Sequence, residues 1–532
     1  MTSYRLLGAR RPTGPRKLVH PMNTAPDTTP DPADAVQEVL AGARALARRL
    51  REVLAQLTGD PVEFDELVRR TAVPRRTVED LLAALGPDLE TTGGAHRLAP
   101  RVRDRYRERF ALDELGASAP AGPDQLALVR EFVERGPRPV TALDHVTATP
   151  ETALRRAEFL RDTYDLSGST VLCLGDHDLT SLALGLVAPS VPVTVVDVDE
   201  RILQHIDTVA AERGFGVRTL HADLRFGVPP ALEGWADLVF TDPPYTPEGI
   251  GLFATRAAEC LAGPNSRLLI AYGYSGRTPA LGHGVQQELL RLGLVFEAIL
   301  PDFHRYFGAQ AIGSASDLYV CQPTARTRKL ALRQAPGIYT HGPQSVEAAE
   351  ATASPELLAA IGERLGSPVA SLREPGWSRP IKRQPQPPVF DLRSDPGPWL
   401  LRMLLATGTE RAAFLLDNNH PDITSERAQR ALSELVAAKF RLRFHRSTPD
   451  SEHALVVADA VEPDSVAGYL LQRAHGKIGN VWREGLIAHV DPALTKRVAR
   501  ERVAERAPVP ADLDLRLIDL PRHRIAELLE RC

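Results

Sequence analysis

From Thr170 to Tyr272 short apolar runs alternate with helical patterns, and this alternation limits the possible folds more than any other feature of the chain. Thr170-Val171-Leu172-Cys173-Leu174, Val193-Thr194-Val195-Val196, Val217-Arg218-Thr219-Leu220, Leu238-Val239-Phe240 and Arg267-Leu268-Leu269-Ile270-Ala271-Tyr272 read as strands. Leu179 to Leu186, Ile202 to Ala211 and Leu252 to Leu261 read as the helices between them. Continuous apolar runs belong to strands covered on both faces, and strands joined through helices run parallel. The expected core is a Rossmann-like, doubly wound α/β sheet over residues 166–330, with Ser316 to Val320 as a late edge strand. Ligands bind such sheets beyond the C-terminal ends of the strands.

The rest of the chain sorts around that sheet. Its 532 residues leave room for two to four domains. Residues 1–35, rich in Pro, Thr and Asp, read as a disordered tail. The tail carries Arg5, Arg10, Arg11, Arg16 and Lys17 without the apolar stretch of a secretory leader, and Met22 is an alternative start. Residues 36–110 read as a winged-helix-like domain: two short helices at Phe64 to Val68 and Pro74 to Leu82, then a Thr91-Thr92-Gly93-Gly94 wing turn. Residues 111–165 form a helical connector in which Thr149 caps a helix that has Pro150 at its first position. Residues 331–390, with Lys382-Arg383-Gln384-Pro385-Gln386-Pro387-Pro388, read as a flexible Pro-rich linker. Residues 391–532 read as an additional small α/β domain without a nucleotide motif.

Composition excludes several classes. A net charge of -4 argues against a nucleic-acid partner. Cys173, Cys260, Cys321 and Cys532 form no CxxC pair, which argues against a zinc site or a disulfide frame and fits a reducing cytoplasm. No apolar run approaches the roughly 18 residues of a membrane span.

The chemistry gathers at the strand ends. After the first strand comes Gly175-Asp176-His177-Asp178, after the second Asp197-Val198-Asp199, after the third Asp223-Leu224-Arg225, and after the fourth Asp242-Pro243-Pro244-Tyr245-Thr246. The two prolines fix the backbone and remove two N–H donors, so Asp242 and the Pro243 carbonyl offer acceptors to an amine. This pattern resembles the amine-holding loop of enzymes that alkylate nitrogen from a sulfonium donor. Asp176 and Asp178 would repel a carboxylate, since like charges ~4 Å apart cost about 4 kcal/mol at an effective dielectric near 20. The donor they favour is S-adenosylmethionine without its carboxylate. Alternatively, either acid caps the helix that follows. Asp197 stands where an acid commonly meets ribose hydroxyls. Asp223 is a candidate acceptor for the adenine amino group.

Taken together, Leu174 to Ser181, Val196 to Asp199, Asp223 to Arg225 and Asp242 to Thr246 resemble the branched-chain polyamine synthases, the N4-bis(aminopropyl)spermidine synthases. Segments His145 to Ala157, Arg305 to Gln310 and Ser316 to Tyr319 share the likeness, which covers roughly residues 36–340. The resemblance implies a class I methyltransferase-like sheet, a homodimer, and aminopropyl transfer from decarboxylated S-adenosylmethionine to the internal nitrogen of spermidine, releasing methylthioadenosine. It implies Gly175, Asp176, Asp197 and Asp223 on the donor, and Asp178, Asp242, Pro243 and Tyr245 on the amine, with no metal. Asp178 would take the amine proton and Tyr245 would pack on the polyamine. His177 departs from the family pattern by replacing an acid, and residues 345–532 extend past it. The rival readings are an amino-methyltransferase acting on nucleic acid and a polyamine-binding regulator without turnover.

Overall fold

The computed structural model describes residues 31–116, 120–330 and 353–532. The expected tail lies outside the described residues as far as position 30. Its last part is already helical, because Asp31 accepts from the Ala33 N–H and opens a helix over Pro32–Ala43.

The N-terminal region packs helices Ala47–Leu57, Phe64–Thr71 and Arg75–Leu85 against a small sheet of strands β1 (Val62–Glu63), β2 (Leu89–Thr92) and β3 (Ala95–Leu98). Gly93 and Gly94 turn the β2–β3 hairpin with φ of 60° and 88°, the left-handed backbone that a two-residue hairpin loop requires. The helix Pro150–Thr163 begins as expected, with the Thr149 side chain accepting from the Thr152 N–H.

The central sheet has seven strands: β4 (Val171–Leu174), β5 (Val193–Asp197), β6 (Val217–His221), β7 (Leu238–Thr241), β8 (Arg267–Tyr272), β9 (Leu294–Arg305) and β10 (Ala315–Pro323). They lie in the order β6-β5-β4-β7-β8-β10-β9. The first five are parallel and β10 runs antiparallel to both β8 and β9. This is the methyltransferase-like Rossmann arrangement. Strands β4, β5, β7 and β8 are buried along their whole length, which is why they read as unbroken apolar runs. The expected edge strand, β10, is interior. The edge is β9, absent from the sequence reading because its alternating exposure breaks the apolar run.

The expected flexible linker differs most. Positions 331–352 lie outside the described residues. From Ser354 the chain is built onto the protein: Ser354 caps helix Pro355–Leu365, the Arg373 N–H donates to the Val389 carbonyl at 2.8 Å, and Trp377 is buried against Phe226 with ring centroids 4.4 Å apart. The prolines here shape turns over a packed surface.

The C-terminal region carries a second sheet, β11 (Val389–Leu392), β12 (Arg411–Asp417), β13 (Phe440–His445) and β14 (His453–Ala460), in the order β11-β12-β14-β13. Its core is continuous with that of the central sheet. Arg402 is fully buried and reaches Glu200 and the carbonyls of Ile518 and Leu520 at 3.0 and 2.9 Å. The Arg522 N–H donates to the second Glu200 oxygen at 2.8 Å. Arg524 donates to the Thr219 carbonyl at 2.6 Å. Among the described residues no helix is long and apolar enough to cross a membrane.

Candidate active site

The strand ends β4, β5, β6 and β7 open onto one cavity of about 330 Å³. Every sequence-derived site residue lines it: Gly175, Asp176, Asp178, Asp197, Asp223, Asp242, Pro243 and Tyr245. Asp144 joins them, so six carboxylates face a lining that holds a single cation, Arg156.

The acids at one end are held by backbone. Gly175 turns the chain after β4 with φ of 71°, and its N–H donates to the Val196 carbonyl at 2.8 Å. The Asp176 N–H donates to Asp197 Oδ2 at 2.9 Å, and the Asp199 N–H to Asp197 Oδ1 at 2.8 Å. Asp176 accepts from the Ser181 N–H at 3.1 Å, so it does anchor the start of helix Thr180–Val187 while also facing the cavity. Burial pushes Asp176 up to about 7, against the opposing Ser181 hydrogen bond. Burial likewise pushes Asp197 up to about 6. Asp223 is gripped differently: Arg225 donates to both oxygens, and Trp399 Nε1 donates to Oδ2 at 3.0 Å.

The acids at the other end are held by side chains. Arg156, on the helix before β4, is 1 % exposed. One nitrogen donates to Asp178 at 2.9 Å, the other to Asp242 at 2.6 Å. Its guanidinium lies 4.9 Å from the centroid of the Phe240 ring. Burial opposes its charge, but Asp242 and Asp178 outweigh burial and hold its pKa above the ordinary guanidinium value. Asp178 also accepts the Ala148 N–H at 2.7 Å, so both of its oxygens are engaged. Asp242 accepts from Tyr306 at 2.8 Å and from Tyr245 at 3.0 Å, and the two phenol oxygens are 2.8 Å apart. Burial raises Asp242 to about 6, with Asp178 adding to the effect and Arg156 opposing it. The start of helix Pro247–Cys260, five residues ahead of the expected Leu252, fixes the end of this loop through Thr246, which accepts from the Gly249 N–H at 2.9 Å.

His177, the departure from the acidic pattern, packs against His145 with ring centroids 4.4 Å apart and the rings tilted by 36°. Burial lowers His145 to about 3, with His177 contributing, and lowers His177 to about 4. Both rings are therefore neutral at pH 7.

Arg156 and Tyr306 are the residues that sequence reasoning left without a role. Arg156 had a signal: it shares a helical face with Ala153, Ala157 and Leu160, all buried, and a guanidinium on such a face needs an acid partner. Tyr306, just past the end of β9, had only its place in the Arg305 to Gln310 segment that shares the family likeness, with nothing in it to point to Asp242. Among the described residues no group of three His, Cys, Asp or Glu is arranged to hold a metal ion.

Comparison with known proteins places this geometry. Residues 124–325 match the family model described as the branched-chain polyamine synthase A C-terminal domain. An uncharacterized protein of Methanocaldococcus jannaschii is 34% identical over 218 residues, 41% of this chain and 54% of that protein. The N(4)-bis(aminopropyl)spermidine synthase of Thermococcus kodakarensis is 33% identical over 181 residues, 33% of this chain and 51% of that enzyme. The chain thus spans about half the length of the curated relatives it matches. The solved branched-chain polyamine synthase of Thermus thermophilus, in complex with N4-aminopropylspermidine and 5'-methylthioadenosine, is 22% identical, covering 59% of this chain and 98% of that one at a TM-score of 0.37. Residues 124–325 of this chain are thus similar to the C-terminal domain of the branched-chain polyamine synthases.

Proposed function

We propose that the protein is an aminopropyltransferase. It moves aminopropyl groups from decarboxylated S-adenosylmethionine to the internal nitrogen of spermidine or a similar polyamine, giving a branched polyamine and methylthioadenosine. The observation that carries this reading is the charge of the cavity: six carboxylates against one guanidinium, itself engaged by two of them. Such a lining attracts a polycation and offers no partner to a donor carboxylate or a phosphate.

The reaction is an in-line displacement. The amine lone pair attacks the propyl carbon next to the sulfonium, the C–N bond forms, the C–S bond breaks, and its electron pair returns to sulfur as a thioether. The attacking nitrogen must first lose its proton. The resemblance implies Asp178 as its acceptor, but Asp178 has the Ala148 N–H and Arg156 on its two oxygens and Asp242 has Tyr245 on one and Arg156 and Tyr306 on the other, so hydrogen bonding does not separate the two acids. Asp242, raised to about 6 and linked to Tyr245, is the acceptor we assign. Its carboxylate is ionised at neutral pH yet not far from protonation. Pro243 lines the amine side, and Tyr245 presents its ring to the polyamine chain. Gly175, Asp176, Asp197 and Asp223 line the donor side. Holding two cations that repel each other in water at attack distance supplies much of the rate.

We further read residues 36–110 as winged-helix-like and the active form as a cytoplasmic homodimer, following the family resemblance. The test of the activity is incubation with decarboxylated S-adenosylmethionine and spermidine, assayed for methylthioadenosine and for the mass of the amine product. Methyl transfer from S-adenosylmethionine to DNA, without methylthioadenosine, would overturn it in favour of the nucleic-acid reading. Spermidine binding without turnover would make the protein a regulator.

A further inference from the structure

The family match ends at residue 325, yet one side chain from beyond it touches an acid of the cavity. A carboxylate has four lone-pair positions. At Asp223 all four are engaged, which leaves none for the adenine amino group and limits the acid to shaping the cavity wall: Oδ1 accepts the Arg225 N–H at 3.0 Å and Arg225 Nε at 2.8 Å, and Oδ2 accepts Arg225 Nη2 and the Trp399 indole N–H, the latter at 3.0 Å. The Arg225 guanidinium lies 4.8 Å from the centroid of the Trp399 ring. Acid, guanidinium and indole form one buried unit whose acid lines the cavity.

Trp399 is itself mounted rigidly. It opens helix Trp399–Ala406, and Asp395 accepts the N–H groups of Gly397, Trp399 and Leu400 at 2.7, 3.0 and 2.9 Å. His420 closes that cluster on Asp395 at 2.9 Å. One turn on, buried Arg402 ties the same helix to Glu200, at the start of the helix that follows β5.

We propose that Trp399 is a positioning residue for the donor: its indole N–H fixes the Asp223 carboxylate, so the C-terminal sheet module braces the nucleoside end of the site from behind its lining. The proposal rests on reading this cavity as a nucleoside and polyamine site. It gives the C-terminal region a task in donor binding and none in amine binding, because the Trp399 contact falls on Asp223 and not on Asp178 or Asp242.

The test uses the full chain and titration calorimetry with 5'-methylthioadenosine and, separately, with spermidine. Trp399→Phe keeps a ring over Arg225 and removes only the N–H. It should weaken methylthioadenosine binding about fivefold, a part of the charge-assisted bond removed because the ligand feels that bond only through Asp223, and leave spermidine binding within about twofold. In an Asp223→Asn background the same substitution should add no further loss. The proposal is overturned by unchanged methylthioadenosine affinity in Trp399→Phe, by equal weakening of both ligands, or by a loss that persists in the Asp223→Asn background. A wild-type chain that binds spermidine but no methylthioadenosine would remove the underlying functional reading and the proposal with it. A wild-type chain that binds both, with an indifferent Trp399→Phe, removes the proposal alone.

Discussion

The two ends of the cavity hold their acids by opposite means. At the nucleoside end, Asp176 and Asp197 are fixed by the backbone N–H groups of Ser181, Asp176 and Asp199, and Asp223 alone is held by side chains. At the amine end, Asp178 and Asp242 are bridged by a guanidinium from a helix 22 and 86 residues away in sequence, and Tyr306 arrives from 64 residues away. Backbone donors cannot be mutated away, and they hold the buried acids rigidly while burial still raises their pKa values. Side-chain donors can be removed one at a time. The comparison therefore predicts that the amine end is fragile to substitution and the nucleoside end is sensitive chiefly to pH.

The largest effect should come from Arg156→Met. It leaves two buried carboxylates without their shared cation, and breaking a buried pair from one side costs about 3–5 kcal/mol. Urea denaturation should show a loss of that order. A loss under about 1 kcal/mol would mean that the bridge is not what holds the two acids. Next in size is Asp242→Asn, which removes the proposed proton acceptor and should lower kcat by about 10²–10⁴-fold with methylthioadenosine binding unchanged. Near-normal turnover would take Asp242 out of the chemistry.

The pH prediction addresses mainly the other end, through Asp176 and Asp197, with Asp242 adding a share from the amine end. Asp176 at about 7, Asp197 at about 6 and Asp242 at about 6 all stand above the ordinary value of 3.8. A group whose pKa is raised in the folded state favours folding at low pH, and that contribution is lost as pH rises through the folded value. These three acids therefore make the unliganded protein progressively less stable between about pH 4 and 7. A polycation stabilises their ionised forms, so binding should release protons near pH 6.5 and raise the melting temperature more at pH 7.5 than at pH 5.5. Calorimetry in two buffers of different ionisation enthalpy measures the release. Binding with no proton release would show that the acids are already ionised without ligand.

The same contrast explains what could be read from the chain beforehand. Acids at strand ends follow from the alternation of strands and helices, so Asp176, Asp197, Asp223 and Asp242 were legible as one group, and all of them line the cavity. The pairing of Asp178 and Asp242 through Arg156 was not, because Arg156 lies before the first strand and its place on a buried helical face is what marks it. Strand β9 was missed because one face is exposed, which turned its neighbour β10 into an apparent edge. The packing of 353–390 was missed because proline-rich composition reads the same whether the turns lie free or against a surface. Nothing in the local sequence of Trp399 points 176 residues back to Asp223.

The smallest effect, and the finest probe of the amine end, is Tyr306→Phe. The phenol donates to Asp242 at 2.8 Å and shares contacts with Tyr245 and with Ser316, each at 2.8 Å, so its removal deletes one donor to the proposed base. With Arg156 and Tyr245 still present, Asp242 keeps two of its three partners, and the loss is of the order of one hydrogen bond, about 1 kcal/mol. That corresponds to a fall in kcat of roughly fivefold. The sign on Asp242 follows too. Losing a donor to the ionised form makes protonation easier, so the acidic limb of the kcat–pH profile should move upward from its position near 6. An unchanged limb together with a fivefold fall in rate would mean that Tyr306 positions the polyamine and not the base. An upward shift would make it part of the same proton-accepting unit as Asp242 and Tyr245, and would complete the contrast with the backbone-held nucleoside end.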